Sequence, residues 1–511
     1  MKRFLLTVGI LFGCALLFFF GTALVLAMAP GSSIFGVQYV SAFVGSNVVE
    51  EEWASYINGD IYVNAKDVPV IIDVRNYSKT KVTFSQKYQG YTIGASRVPN
   101  CDIEKTNKGI EITTHEIEKF LIGGSKEYAL TITIPASWAT SGTHSIYVQS
   151  NHSNVTFSSE NGNESTLRFK NIELNAGANV AFNCPVKCKN LDFYTANSQT
   201  LNEKVSADDY NIRTSAGDIT FVGNCVGDIK VTSQRGSVKF VSCQNATIKT
   251  TSGKVYGDSP VVYGKADIST DRGGVVLGEV LGENSTITTH GGSIVIGNFV
   301  GGKLVSPRGK IKITEVVNTE IVGGVNDVIV ERVAGSATIS TTRGNIYIGS
   351  EGGAEVVGNV SATSSSGNIV ATKTAGTLTF NTDSGDVKLS NGSSANITIE
   401  SARRVEATGL VGKVVINASG ACDLGFSKIT DAVKVAGLQN CSKIKITVDD
   451  ALANSNLNIK INGKSKFVGK VYAGEELKQS GQNVAIKEAG TTAPTLEVEA
   501  GNCNVSVYYN A

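Results

Sequence analysis

The chain lacks any excess of charge: 46 Lys and Arg stand against 45 Asp and Glu, a formal net charge of +1. So close a balance removes bulk attraction to nucleic acid or to an anionic membrane surface. Proline is scarce, at 8 of 511 residues, which leaves most backbone N–H groups able to donate in a sheet. No apolar i, i+3, i+4, i+7 stripe runs through the body, so a helical domain is excluded. Catalytic signatures are missing too. His115, His144, His152 and His290 form no H-E-x-x-H and stand beside no matched cysteine or carboxylate cluster. There is no G-x-S-x-G, P-loop or G-x-G-x-x-G. The pattern calls for no metal and no cofactor. What is plentiful is glycine, 55 residues without a G-x-y triplet, in a chain whose 41% hydrophobic content suffices for a core.

Lys2 and Arg3 precede an apolar run from Phe4 to Ala29. At about 1.5 Å per residue that run spans the ~30 Å hydrocarbon layer. It predicts an uncleaved N-terminal transmembrane helix, a signal anchor over residues 1–29, single-pass in the cell membrane. The alternative is a cleaved signal, with Ala27-Met28-Ala29 as the processing site. Because the cationic flank precedes the span, the N-terminus is expected in the cytoplasm and the body outside.

The body repeats. Gly217, Gly236, Gly253, Gly273, Gly292, Gly309, Gly344, Gly367 and Gly385 are spaced 19, 17, 20, 19, 17, 35, 23 and 18 apart. The 35 counts as two turns, with Asn326 at the skipped position. Two residues after each glycine stand Ile219, Val238, Val255, Val275, Ile294, Ile311, Ile346, Ile369 and Val387, all β-branched. Five before it, the residue is always apolar, from Ile212 to Phe380, and the intervening positions are mostly Thr, Lys, Ser, Asn or Asp. Each unit therefore reads strand, turn with glycine, strand, with side chains alternating at period two. So short a unit buries its apolar face only by stacking on its neighbours. The expected fold is all-β, a right-handed parallel β-helix of about 18–19 residues per rung. The glycines are expected to supply a positive φ at the corner. A left-handed hexapeptide helix would need a strict six-residue period, and serial β-sandwiches would not share a corner glycine.

Upstream, Ile146, Val148, Val155 and Phe157 fit the same template. Before residue 143, Asp60–Val63, Val70–Ile72 and Ala129–Pro135 alternate but lack the glycine. Residues 30–142 are expected to be an antiparallel β region capping the first rung. Residues 143–450 are expected to be the helix repeats, and 451–511 C-terminal rungs and a cap. The strand Tyr128–Pro135, with Thr214-Ser215-Ala216-Gly217-Asp218-Ile219, Thr250-Thr251-Ser252-Gly253-Lys254-Val255 and Ser365-Ser366-Gly367-Asn368-Ile369-Val370, resembles a bacterial surface-adhesin family of Gly/Ser/Thr-rich β-helix domains. The resemblance covers roughly residues 60–450 and implies a surface interaction protein.

Two sets of residues invite attention. Outside the apolar run, eight cysteines remain, an even number compatible with disulfides in an oxidising compartment. Cys225 and Cys243 are 18 apart, and Cys422 and Cys441 are 19 apart, each one repeat. Neighbouring rungs, ~4.8 Å apart, lie within disulfide reach. The alternative is a ladder of buried free thiols. Arg235, Arg272, Arg308 and Arg343 each immediately precede a corner position and fall on every second rung. They make a column of guanidinium groups about 9.6 Å apart that could engage an acidic glycan or cell-envelope polymer. The functional expectation is a membrane-anchored, extracytoplasmic, adhesin-like binding scaffold and not an enzyme. A carbohydrate-active β-helix lyase or hydrolase would need clustered carboxylates on one face. The adjacent pairs Asp208-Asp209 and Asp449-Asp450 are far apart in the chain. A purely structural envelope spacer is the third reading.

Overall fold

The structure, a computed structural model, describes residues 40–509 apart from 54–58, 94–98, 116–121, 161–165, 350–355, 357, 391–395, 428, 430–431, 438–441, 449–457, 464–468, 474, 482, 488–494 and 501–503. The apolar run Phe4–Ala29 and Cys441 lie outside the described residues. Among the described residues no helix is long and apolar enough to cross a membrane. The fold is an all-β solenoid. Contacts divide the chain into two compact units, Met1–Gly217 and Asp218–Ala511.

In the second unit, successive turns pair in parallel and in register. Ile294 lies beside Val275 on one side and Ile311 on the other. All three are fully buried, while Val295 is 39% exposed, so the period-two alternation points as the repeat predicts. Each fully buried Ile or Val contributes about 1.5–3 kcal/mol, and the column of them holds the turns together.

The corner glycines are there for a different reason from the one expected. Positive φ occurs at Gly109, Gly142, Gly301, Gly302, Gly349, Gly409 and Gly412, and at none of the repeat corners. Instead, a Cβ on Gly273 would lie 1.8 Å from the carbonyl oxygen of Gly253, and one on Gly292 would lie 1.9 Å from that of Gly273. Stacked corners approach so closely that only hydrogen fits. Three residues earlier sits a buried hydroxyl. Thr250 Oγ1 donates to Gly253 O at 2.7 Å and Thr289 Oγ1 to Gly292 O at 2.6 Å, while Gly309 N donates to Ser306 Oγ and Gly385 N to Thr382 Oγ1, both at 3.0 Å. The T/S-x-x-G spacing thus satisfies a peptide group that the tight corner would leave unpaired. In the turn with Asn326 at the corner, Gly323 takes the hydroxyl position. The close approach moves to Gly324, whose Cβ would meet Pro307 O at 2.0 Å.

The first unit begins with β1 (Val40–Trp53), β2 (Asp60–Asn64), β3 (Val70–Arg75), β4 (Thr80–Ile93), β5 (Asn100–Lys105), β6 (Gly109–His115) and β7 (Ile122–Pro135). A helical turn, α1 (Ala136–Ala139), leads into β8 (Ile146–Ser150) and β9 (Val155–Ser159). The expectation of an antiparallel cap over residues 30–142 is corrected. β2 lies parallel to both β6 and β8, and β3 parallel to both β7 and β9, so residues 60–75 already form a turn of the parallel stack. The glycine signal is missing because Lys66, at φ 41°, makes the bend between β2 and β3. The antiparallel strands are β5 on β6, β4 on β7 and β1 on β4. Chain order and stacking order differ: the outermost parallel turn, β6–β7, is made after the turn beneath it.

The C-terminal end of the second unit uses the same device in reverse. Val433–Gly437 and Lys443–Val448 pair in parallel with Thr495–Ala500 and Asn504–Tyr509. Those last strands pair in turn with Asn458–Gly463 and Gly469–Ala473, which precede them in the chain. Antiparallel strands Asn483–Lys487 and Glu476–Gly481 close the edge. A parallel stack ends in unpaired N–H and C=O groups, and antiparallel cover of this kind blunts that edge.

Candidate functional site

The arginine positions come together as the repeat predicts. Corner peptides donate to the corner of the turn before: Ser252 N to Gln234 O, Arg272 N to Thr251 O, Gly291 N to Asp271 O, Val325 N to Pro307 O and Arg343 N to Gly324 O. Arg235, Arg272, Arg308 and Arg343 are therefore stacked on one edge with Ser252, Gly291 and Val325 between them, and all four arginines are exposed. No ion pair or side-chain hydrogen bond engages them among the described residues. The nearest acid in sequence, Asp271, is 3.2 Å from His290 Nδ1. Lys254 and Lys310, one residue past their corner glycines, are exposed and add to the same edge. Spacing alone does not single out those two lysines, because the position after the glycine is Asp, Asn, Ser or Gly in the other turns.

The cysteine register is also as expected. Asn224 bridges Ser242 in parallel, and Cys225 N donates to Ser242 O at 2.9 Å, which sets Cys225 beside Cys243 on neighbouring turns. Both are buried free thiols, with Val262 continuing the column beyond Cys243. Burial pushes the Cys225 thiol up to about 12 and the Cys243 thiol higher still. Such thiols behave as small apolar side chains at neutral pH. Cys422 is buried as well, and its partner in the sequence reading, Cys441, is outside the described residues.

Among the described residues no group of three or more His, Cys, Asp or Glu converges as a metal site would. Residues 60–256 match the family described as Toastrack DUF4097. The matched span opens at β2, where the parallel stack opens. It supports the β-solenoid reading and leaves the Gly/Ser/Thr-rich adhesin family as a resemblance. No curated protein matches the chain. Among solved structures, the chain is similar to one described as a "putative cell adhesion protein from Clostridium sporogenes". The two are 10% identical over 91% of this chain and 100% of that one, with a TM-score of 0.14, which carries no argument about fold or function.

Sequence reasoning does not reach a second feature, in the first unit. Tyr62 and Tyr147 stack with ring centroids 4.7 Å apart and planes within 3°. The signal is visible in retrospect: Ile61-Tyr62-Val63 and Ile146-Tyr147-Val148 each set one outward aromatic between two inward apolar residues.

Proposed function

We propose that the chain is a membrane-anchored, extracytoplasmic, right-handed β-helix that acts as an adhesin-like binding scaffold, without a cofactor and without catalysis. Its exposed arginine edge engages an acidic glycan or a comparable cell-envelope polyanion. The observation that carries the reading is the column Arg235, Arg272, Arg308 and Arg343: exposed, unpaired, and separated by the uncharged Ser252, Gly291 and Val325 on alternate turns. Guanidinium groups held at a fixed repeat suit the regularly spaced carboxylates, sulfates or phosphates of a polymer, and bidentate contacts favour Arg over Lys there. The apolar run behind Lys2 and Arg3 supports the anchor.

The test is retention of residues 30–511 on an immobilised acidic polysaccharide at low salt. The parent is expected to be retained, and the variant with all four arginines replaced by Gln is expected to elute with the void. Equal retention of the two would reduce the column to solvated turn chemistry.

A further inference from the structure

The stacked tyrosines stand on the outer face of the first unit, in register with a row of carboxylates and amides. Glu111 pairs with Tyr62, Tyr62 with Tyr147, Tyr147 with Glu173, Glu173 with Asp192, and Asp192 with Asn211. Because the rings lie one turn apart and parallel, each covers one face of the other. The remaining faces look along the stack, Tyr62 over Glu111 and Tyr147 over Glu173. A groove of about 550 Å³ runs past both rings, lined by Asn64, Glu111, Gln149 and Glu173, with Lys108 its one cation. A second of about 330 Å³ continues beyond Tyr147 along Asn171, Asn190 and Asp192. Asp192 is already engaged, by Asn211 Nδ2 at 2.7 Å and Arg213 Nη2 at 3.2 Å, and Asn190 Nδ2 donates to Asn171 Oδ1 at 2.8 Å. Glu111 and Glu173 have no ion pair or side-chain hydrogen bond among the described residues and are exposed.

We propose that this groove binds an amino-sugar chain carrying free amines, at a site separate from the arginine edge and opposite to it in charge. Three features select that chemistry together. An open tyrosine face accepts an ammonium group or the apolar face of a sugar ring. An unpaired carboxylate one turn away supplies the counter-charge. The flanking amides Asn64, Gln149 and Asn175, repeated at the turn spacing, offer paired donors and acceptors to hydroxyls. The volume is that of an ordinary ligand site, and its open length suits a polymer more than a single ring.

The experiment is calorimetric titration of the full chain with a glucosamine hexamer, its N-acetylated counterpart and hexalysine. The glucosamine hexamer is expected to bind more tightly than either of the others. Tyr147→Ala should weaken it by about tenfold, the scale of one partly desolvated cation–π contact. Glu173→Gln should narrow the difference in affinity between the free and acetylated hexamers. Both side chains face outward, and an unchanged melting curve shows that the variants are folded. Replacing the four arginines by Gln should leave these affinities as they are, so this proposal and the polyanion reading fail separately. Binding of hexalysine as tight as that of the glucosamine hexamer, or affinities indifferent to Tyr147→Ala, would overturn it.

Discussion

The inner and outer walls of the turns in the second unit obey different rules. Inside, most positions are Ile, Val or Leu, with Phe, Ala and Cys among them and a buried Ser or Thr at most corners. Outside, the same strands carry Lys, Thr, Tyr, Val or Gly with no fixed rule, and from Arg235 to Arg343 the corner alternates between Arg and an uncharged residue. The inner wall supplies cohesion, so its chemistry is dictated by parallel stacking. The outer wall is released from that demand, and it is there that an unpaired cationic edge can persist.

Substitution of adjacent residues on opposite walls gives the largest effect. Ile294→Ala should cost about 2–5 kcal/mol, whereas Val295→Ala should cost less than about 1, read from urea unfolding midpoints. A larger loss at Val295 would invert the walls. Next in size is the corner itself, where two neighbouring glycines differ. A Cβ on Gly292 would sit 1.9 Å from Gly273 O, and one on Gly291 only 3.4 Å from Asp271 O. Gly292→Ala should cost about 1–3 kcal/mol as an overpacked backbone contact, and Gly291→Ala should stay within about 0.5. Equal melting temperatures for the two variants would contradict the close-approach explanation of the repeat glycine.

The inner wall was legible because stacking imposes a period. The glycine spacing predicts the pairing of Val275, Ile294 and Ile311, and the alternation predicts that Ile294 is buried and Val295 exposed. The reason for the glycine was not legible: a contact with the preceding turn leaves the same mark in sequence as a positive φ. The turn formed by β2 and β3 escaped because Lys66, not a glycine, makes its bend. At both ends, a local pattern says that a strand has stacking partners but not which ones. The insertion of β2–β3 beneath β6–β7, and of Thr495–Tyr509 beneath Asn458–Ala473, is therefore invisible until the register is seen. The Tyr62–Tyr147 pair belongs to the same class, since its rings meet only because those turns are neighbours in space.

The arginine edge is the outer feature on which the functional reading rests, and its signature is equivalence. Arg235, Arg272, Arg308 and Arg343 occupy the same corner on alternate turns, so a polyanion should meet each in the same way. Each side chain is exposed, and its removal should leave stability within about 0.5 kcal/mol. The direct measurement is the affinity of four single Arg→Ala variants for one acidic polysaccharide across a salt series. The account predicts four similar losses and a steep fall in affinity with salt, shallower in every variant than in the parent. One arginine carrying the whole loss, or four variants binding like the parent, would contradict it.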